Sequence, residues 1–276
     1  MGLNHRQLSV AFIGGGNMAR ALIAGLARGG HAMDRVLVIE PDGARAQALA
    51  DEFGVRVKSR QVKGIGDCGL VVLAVKPQQM QSVVGSVAAR LGDDATLLSI
   101  AAGIECGRIR HWLGDCRVAL VRAMPNTPAQ VGSGIAALYS EEEDGVHRAR
   151  AEYLLAACGK TIWVENEAQL HAVTAISGSG PAYFFLLTEL LQASGVAMGL
   201  PAESAALLAA HTALGAGRML VETGADPASL RQQVTSPNGT TQAALDVMYD
   251  EGLPDIVRRA VQTAGRRSRE LARRGC

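Results

Sequence analysis

A run of buried-strand character, Leu8 to Ile13, stops at three consecutive glycines and gives way at once to an Ala- and Leu-rich stretch reaching about Arg28. The segment Phe12-Ile13-Gly14-Gly15-Gly16-Asn17-Met18-Ala19 therefore sets the spacing G-x-G-x-x-A between a strand and a helix. Each residue type has a physical task there. The first glycine permits the tight turn, the second lets backbone approach a pyrophosphate, and Ala19 lets the helix pack close to the strand. The helix start adds N–H groups and a positive dipole. Alone, the spacing fits a plain structural turn. With a strand before it, a helix behind it and Glu40 closing the next strand, it points to a dinucleotide. Glu40 would accept hydrogen bonds from the adenosine ribose and repel a 2′-phosphate. Arg45, Arg56, Lys58 and Arg60 are equally suited to receive that phosphate, so the residues leave the choice open.

The chain has 276 residues, enough for two domains. Val36 to Ile39 reads as a second strand and Ala44 to Phe53 as a second helix. Leu70 to Val75 is apolar without alternation, as in a central parallel strand covered on both faces. Thr96–Ala101, Arg117–Val121, Gly134–Tyr139 and Lys160–Val164 read as further strands. Strands alternating with helical stretches predict a doubly wound, mostly parallel sheet over residues 1–167. From 168 to 276 the expectation is all helix. Pro181–Met198, Pro201–Glu222, Pro227–Val234, Thr240–Glu251 and Pro254–Arg273 are helical, and prolines stand at or near first-turn positions, where the missing N–H costs nothing. Phe184, Phe185, Leu187, Leu190, Leu191, Leu207, Leu208, Leu214, Met219 and Leu220 give these helices more apolar surface than one layer covers. Those faces are expected to meet a second subunit.

Further motifs sit at strand ends and turns. Ala74-Val75-Lys76-Pro77-Gln78 places a lysine where ligands bind in doubly wound sheets. Ser99-Ile100-Ala101-Ala102-Gly103 is small enough for a nucleotide to pass closely. Arg122-Ala123-Met124-Pro125-Asn126-Thr127-Pro128 holds Asn126, both donor and acceptor, between two prolines. Ile176-Ser177-Gly178-Ser179-Gly180-Pro181-Ala182 marks the change of character and suits a hinge as well as a site. Val234-Thr235-Ser236-Pro237-Asn238-Gly239-Thr240-Thr241 opens a helix, an arrangement equally fit for capping or for holding a carboxylate.

Composition removes other classes. Lys plus Arg number 27 against 26 Asp plus Glu, a net charge of +1, which gives no basic footprint for nucleic acid. Aromatic residues at 4% argue against base stacking. Five scattered cysteines without a CxxC pair suggest neither a metal site nor a disulfide framework. The six histidines pair with no visible nucleophile or carboxylate. No uninterrupted apolar run reaches about eighteen residues, so no membrane span is expected. Met1 to Leu8 shows no signal peptide, and the expected place is the cytoplasm.

Taken in order, FIGGGNMA, AVKPQ, SIAAG, RAMPNTPA, SGSGPAY and VTSPNGTT resemble the pyrroline-5-carboxylate reductase family along nearly the whole chain. The resemblance implies an N-terminal Rossmann domain and an all-helical C-terminal domain that binds substrate and dimerises, with dimers assembling further. It implies reduction of L-1-pyrroline-5-carboxylate to L-proline by NADPH or NADH, the last step of proline biosynthesis. Cofactor contacts then fall on Ile13, Gly14, Gly15, Gly16, Asn17, Met18, Val75, Lys76, Pro77, Gln78, Ile100, Ala101, Ala102 and Asn126, to which the strand-end position adds Glu40. Substrate contacts fall on Glu167, Ser236, Thr240 and Thr241, with Thr241 and Ser236 as catalytic candidates, and Gly239 would let the backbone of that turn approach the substrate closely. Asn238 replaces a usual glycine but tolerates left-handed backbone, and Gln61 and Gln233 stand where relatives carry Asn. A related imine reductase or 3-hydroxyacid dehydrogenase shares the plan, yet Pro181–Met198 holds no lysine to act on a hydroxyl. A dinucleotide-sensing module without turnover would carry a DNA-binding region or a basic face, and the charge balance gives neither.

Overall fold

The computed structural model describes residues 5–59, 64–142 and 145–274; Met1, Arg60 and Gln61, named above, lie outside them, as does the last of the five cysteines, Cys276. Four apolar runs become the central strands: β1 (Val10–Ile13), β2 (Val36–Ile39), β4 (Leu70–Leu73) and β5 (Thr96–Ser99), every residue buried. The edge strand β3 (Arg56–Lys58) is short and half-exposed. β6 (Ala119–Met124), β7 (Gly134–Ser140) and β8 (Gly159–Trp163) complete one sheet of eight strands in the order β3-β2-β1-β4-β5-β6-β7-β8. Pairing is parallel except between β6 and β7. Only the one-turn segment Thr127–Val131 joins those two. A parallel return needs a crossover of about a dozen residues, so the chain comes back antiparallel.

Successive residues of β1 face opposite layers. Val10 and Phe12 pack with Leu22 and Leu26 of α1 (Asn17–Arg28), Leu49 of α2 (Gly43–Phe53) and Leu154 of α5 (Gly145–Ala156). Ala11 and Ile13 pack with Met80 and Val84 of α3 (Met80–Ala88) and Ile109 of α4 (Cys106–Leu113). Helices thus cover both faces of the sheet, which leaves ligands the edge where strands end.

The chain divides into two compact units, one formed by Met1–Gly178 with Ala264–Cys276 and the other by Ser179–Thr263. This differs from a division after 167. The segment α6 (Gln169–Val173), with Leu170 and His171 buried, and a following π-turn, Thr174–Gly178, belong to the first unit. So does the end of α11 (Leu253–Arg274), where Ser268 bonds the His171 ring at 2.9 Å.

The second unit holds α7 (Gly180–Ala197), α8 (Ala202–Thr223), α9 (Pro227–Gln233), α10 (Thr240–Asp250) and the start of α11. Phe184 and Phe185 are 65% and 67% exposed, and Leu187, Leu190, Leu207, Leu208 and Leu214 are exposed too. Gln169–Ala197 and Ala202–Thr223 are each long enough to cross a membrane, and each contains an 18-residue stretch with a mean hydropathy of 1.2. The expectation of no span rested on uninterrupted runs. Here Gly, Ser, Thr and Gln interrupt the run without adding much charge, so the mean stays high.

Candidate active site

Register brings the three functional strand ends of the first unit level. Ile13 pairs with Ile39 on one side and Leu73 on the other. Gly14 N–H donates to the Ile39 carbonyl at 2.8 Å, and Ala74 N–H to the Ile13 carbonyl at 2.9 Å. Between these ends opens a cleft of about 640 Å³, whose lining includes Ile13, Gly14, Gly16, Glu40, Arg45 and Lys76. A concavity of about 680 Å³ lies between the C-terminal ends of α3 and α4, beside Trp112 and Cys116, and contains none of the expected site residues.

The cleft fits a dinucleotide. Gly14 has a φ of +99°, and a Cβ there would lie 2.7 Å from the Ala74 carbonyl oxygen. At Gly16 a Cβ would meet nothing within 4 Å, so its backbone faces open space. No side chain caps the start of α1, which leaves its first-turn N–H groups to an anion. Glu40 is buried beneath this turn. Its Oε2 accepts the Gly15 N–H at 2.8 Å, its Oε1 accepts the Asp42 N–H at 2.9 Å, and Arg45 lies 3.3 Å from Oε2.

The remaining expected cofactor residues border the same edge of the sheet. Asn17 is exposed and Met18 half-buried at the start of α1; Val75, Lys76, Pro77 and Gln78 follow β4, and Ile100, Ala101 and Ala102 follow β5. Val75 lines the cleft, while Asn17, Met18, Pro77, Gln78 and Ile100–Ala102 lie outside its lining. Asn126 is buried and its amide is spent within the protein. It donates to the Ser177 carbonyl at 3.1 Å and accepts the Ile135 N–H at 3.0 Å, tying the loop after β6 to the π-turn.

Glu167 stands apart from the cleft. Its Oε1 accepts from Arg122 at 2.5 Å and from the Cys106 N–H, at the start of α4, at 2.6 Å. Burial and the Glu167 carboxylate beside it push the Cys106 thiol far up, leaving it protonated and inert. Sequence reasoning missed Arg122 as a partner; a lone charge inside the apolar strand β6 was the signal.

Ser236, Gly239, Thr240 and Thr241 come together in the second unit. Asn238 has a φ of +58°, the one non-glycine residue in the left-handed region among the described residues. Gly239 N–H donates to the Ser236 carbonyl at 3.0 Å, and a Cβ on Gly239 would lie 2.4 Å from Ser236 Oγ, so a side chain there would turn that hydroxyl aside. Gly239 caps α10 with no side-chain bond, leaving first-turn N–H groups beside the half-buried Thr241.

Residues 167–271 match the family described as pyrroline-5-carboxylate reductase dimerisation, and residues 9–103 that described as NADP oxidoreductase, coenzyme F420-dependent. The chain is 42% identical to the pyrroline-5-carboxylate reductase of Pseudomonas aeruginosa, over 95% of this chain and 96% of that one. It is 38% identical to the Arabidopsis thaliana enzyme, over 95% of each. Among solved structures, the pyrroline-5-carboxylate reductase of Coxiella burnetii superposes with a TM-score of 0.91 at 38% identity, covering 96% of this chain and 99% of that one. The Plasmodium falciparum pyrroline carboxylate reductase with NADP bound gives 0.85 at 26% identity, covering 97% and 99%. With the glycine cradle and the Ser236–Thr241 turn carried in order along one chain, this protein belongs to the pyrroline-5-carboxylate reductase family.

Proposed function

We propose that this chain reduces L-1-pyrroline-5-carboxylate to L-proline with NAD(P)H, as a homodimer or an assembly of dimers in the cytoplasm. The observation that carries the reading is the turn from Ser236 to Gly239 opening an uncapped helix, which dinucleotide binding alone does not require. The dimer rests on the apolar faces of α7 and α8, which need cover that a second copy supplies. The domain that binds substrate and dimerises is taken as 168–276.

NAD(P)H, when bound, supplies the hydride. The residues that would hold it are Ile13 to Met18, whose amides and helix start receive the pyrophosphate, with Glu40, Lys76 and Gln78 toward the ribose groups. Val75, Pro77 and Ile100 to Ala102 would wall its path. Asn126 would act by fixing the loop beside the nicotinamide, since both ends of its amide are already bonded.

The substrate carboxylate would rest on the first-turn N–H groups of α10, with the hydroxyls of Ser236 and Thr240 beside it. A protonated cyclic imine is already an electrophile, so the chain needs no strong base. It must hold the ring in position and exclude water. Thr241 would set its hydroxyl against the ring nitrogen, accepting the N–H of the protonated imine and orienting it. Glu167 has Oε1 committed to Arg122 and Cys106, so it would meet substrate through Oε2.

Thr241→Val tests this placement, because it keeps the shape and removes the hydroxyl. Loss of a buried hydrogen bond costs about 1–3 kcal/mol, so kcat/KM for the imine should fall about five- to 150-fold with nucleotide affinity unchanged. Full efficiency, or an equal loss of nucleotide binding, would make the turn a helix cap and nothing more.

A further inference from the structure

We propose that His171 is a positioning residue for the hydride step: with Ser268 and Glu105 it holds the loop from Ile100 to Glu105 against the end of α11, and so keeps the nicotinamide in its transfer position. The inference rests on the reading of Ile100 to Ala102 as a wall of the nucleotide's path. That loop runs from the end of β5 to the start of α4. In its middle Gly103 has a φ of +74°. A Cβ there would lie 3.5 Å from Leu271 Cβ and 3.6 Å from the Ala272 nitrogen, so the loop backbone rests directly on α11. Gly265, Ser268 and Ala272 are buried at helical spacing, which marks the face that α11 turns toward the loop.

His171 of α6 joins that face to the far end of the loop. Its Nδ1 lies 2.9 Å from Ser268 Oγ, and its Nε2 lies 3.6 Å from Oε1 of Glu105, the residue that precedes α4. A carboxylate only accepts, so the proton of the neutral ring belongs on Nε2, and Ser268 donates its hydroxyl to Nδ1. Burial lowers the pKa of the ring; Glu105 pulls it up, Arg122 and Arg269 push it down, and the ring is neutral at pH 7. The Cys106 N–H, bonded to Glu167, fixes the next residue of the chain. Arg122, level with Ser99 in the sheet, holds that same carboxylate beside the start of the loop. None of these side chains lines the nucleotide cleft, so their effect on the reaction passes through the loop.

The test compares the wild type with His171→Leu, His171→Asn and Ser268→Ala. Three quantities are measured: the single-turnover rate of hydride transfer to saturating imine from NADH and from NADPH, the Kd for NAD+ and NADP+ by calorimetric titration, and the urea midpoint, which establishes that each variant is folded. Small displacements of a positioned group cost up to about 100-fold in rate, so His171→Leu and Ser268→Ala should slow hydride transfer about ten- to 100-fold. Kd should stay within about threefold, because the pyrophosphate is held by the turn after β1. Asparagine sets an amide oxygen near the place of Nδ1 and accepts from Ser268, so His171→Asn should return the rate to within about threefold of wild type. An unchanged rate in folded His171→Leu or Ser268→Ala overturns the proposal and leaves the cluster a seam between helices. So does a Kd that rises as far as the rate falls, or His171→Asn as slow as His171→Leu. If His171→Leu fails to fold, Ser268→Ala and His171→Asn still decide. A wild type that binds neither nucleotide would refute the reading of the cleft, and one that binds nucleotide without turnover would refute the proposed reaction; the proposal falls with either, by an outcome distinct from its own failure.

Discussion

Glu167→Gln removes the charge facing a buried guanidinium. Arg122 lies in β6 with its side chain 7% exposed, and Glu167 Oε1 stands 2.5 Å from it. The same oxygen accepts the Cys106 N–H, so one atom anchors both the strand and the start of α4. Removing one member of a buried pair leaves the other charge uncompensated, at about 3–5 kcal/mol. Glu167 is 22% exposed and glutamine keeps one carbonyl acceptor, so the low end, about 3 kcal/mol, applies. With a urea m-value of about 3 kcal/mol/M, the unfolding midpoint should fall by about 1 M. Circular dichroism measures this, with both proteins at one protomer concentration because assembly contributes to stability. A midpoint within about 0.2 M of wild type would refute the reasoning. If KM for the imine then rose in a fully stable variant, Glu167 would be a substrate contact with no anchoring role.

Gly16→Ala places a methyl where no protein atom lies within 4 Å, so thermal stability should hold while nucleotide Kd rises tenfold or more; equal affinity would show that the backbone there does not meet the cofactor. Stability should also fall as pH drops from about 7.5 to 5.5. Burial holds the His31 and His171 rings below the ordinary 6.5, so the unfolded chain takes up their protons first and gains on the folded one as pH falls through 6.5. Urea midpoints that stay level or rise over this range would contradict it.

The parts of the fold legible in the sequence were those fixed by local pattern. β1, β2, β4 and β5 are continuous apolar runs because both faces of a central strand are covered, and α7, α8, α9 and α11 announce themselves by a proline at or beside the first turn. The edge strand β3 is three residues with a polar pattern, which no periodicity reveals. The direction of β7 was hidden because alternation reads the same both ways; only the short loop before it decides. The glycine cradle was legible, but what Glu40 does depended on the register that sets Ile39 beside Ile13. Arg122 and Glu167 lie 45 residues apart, and Asn126 finds its partners in Ile135 and Ser177, so a lone charge in β6 marks Arg122 but nothing local names the partners.

One chain carries both the glycine cradle after β1 and the Ser236–Gly239 turn before α10. The direct measurement is the amount of L-proline formed per NAD(P)H oxidised when L-1-pyrroline-5-carboxylate is added to the purified protein. One proline should form for each nucleotide consumed, with either nucleotide sustaining turnover and no oxidation in the absence of the imine. A folded protein that binds nucleotide yet forms no proline with either would contradict it.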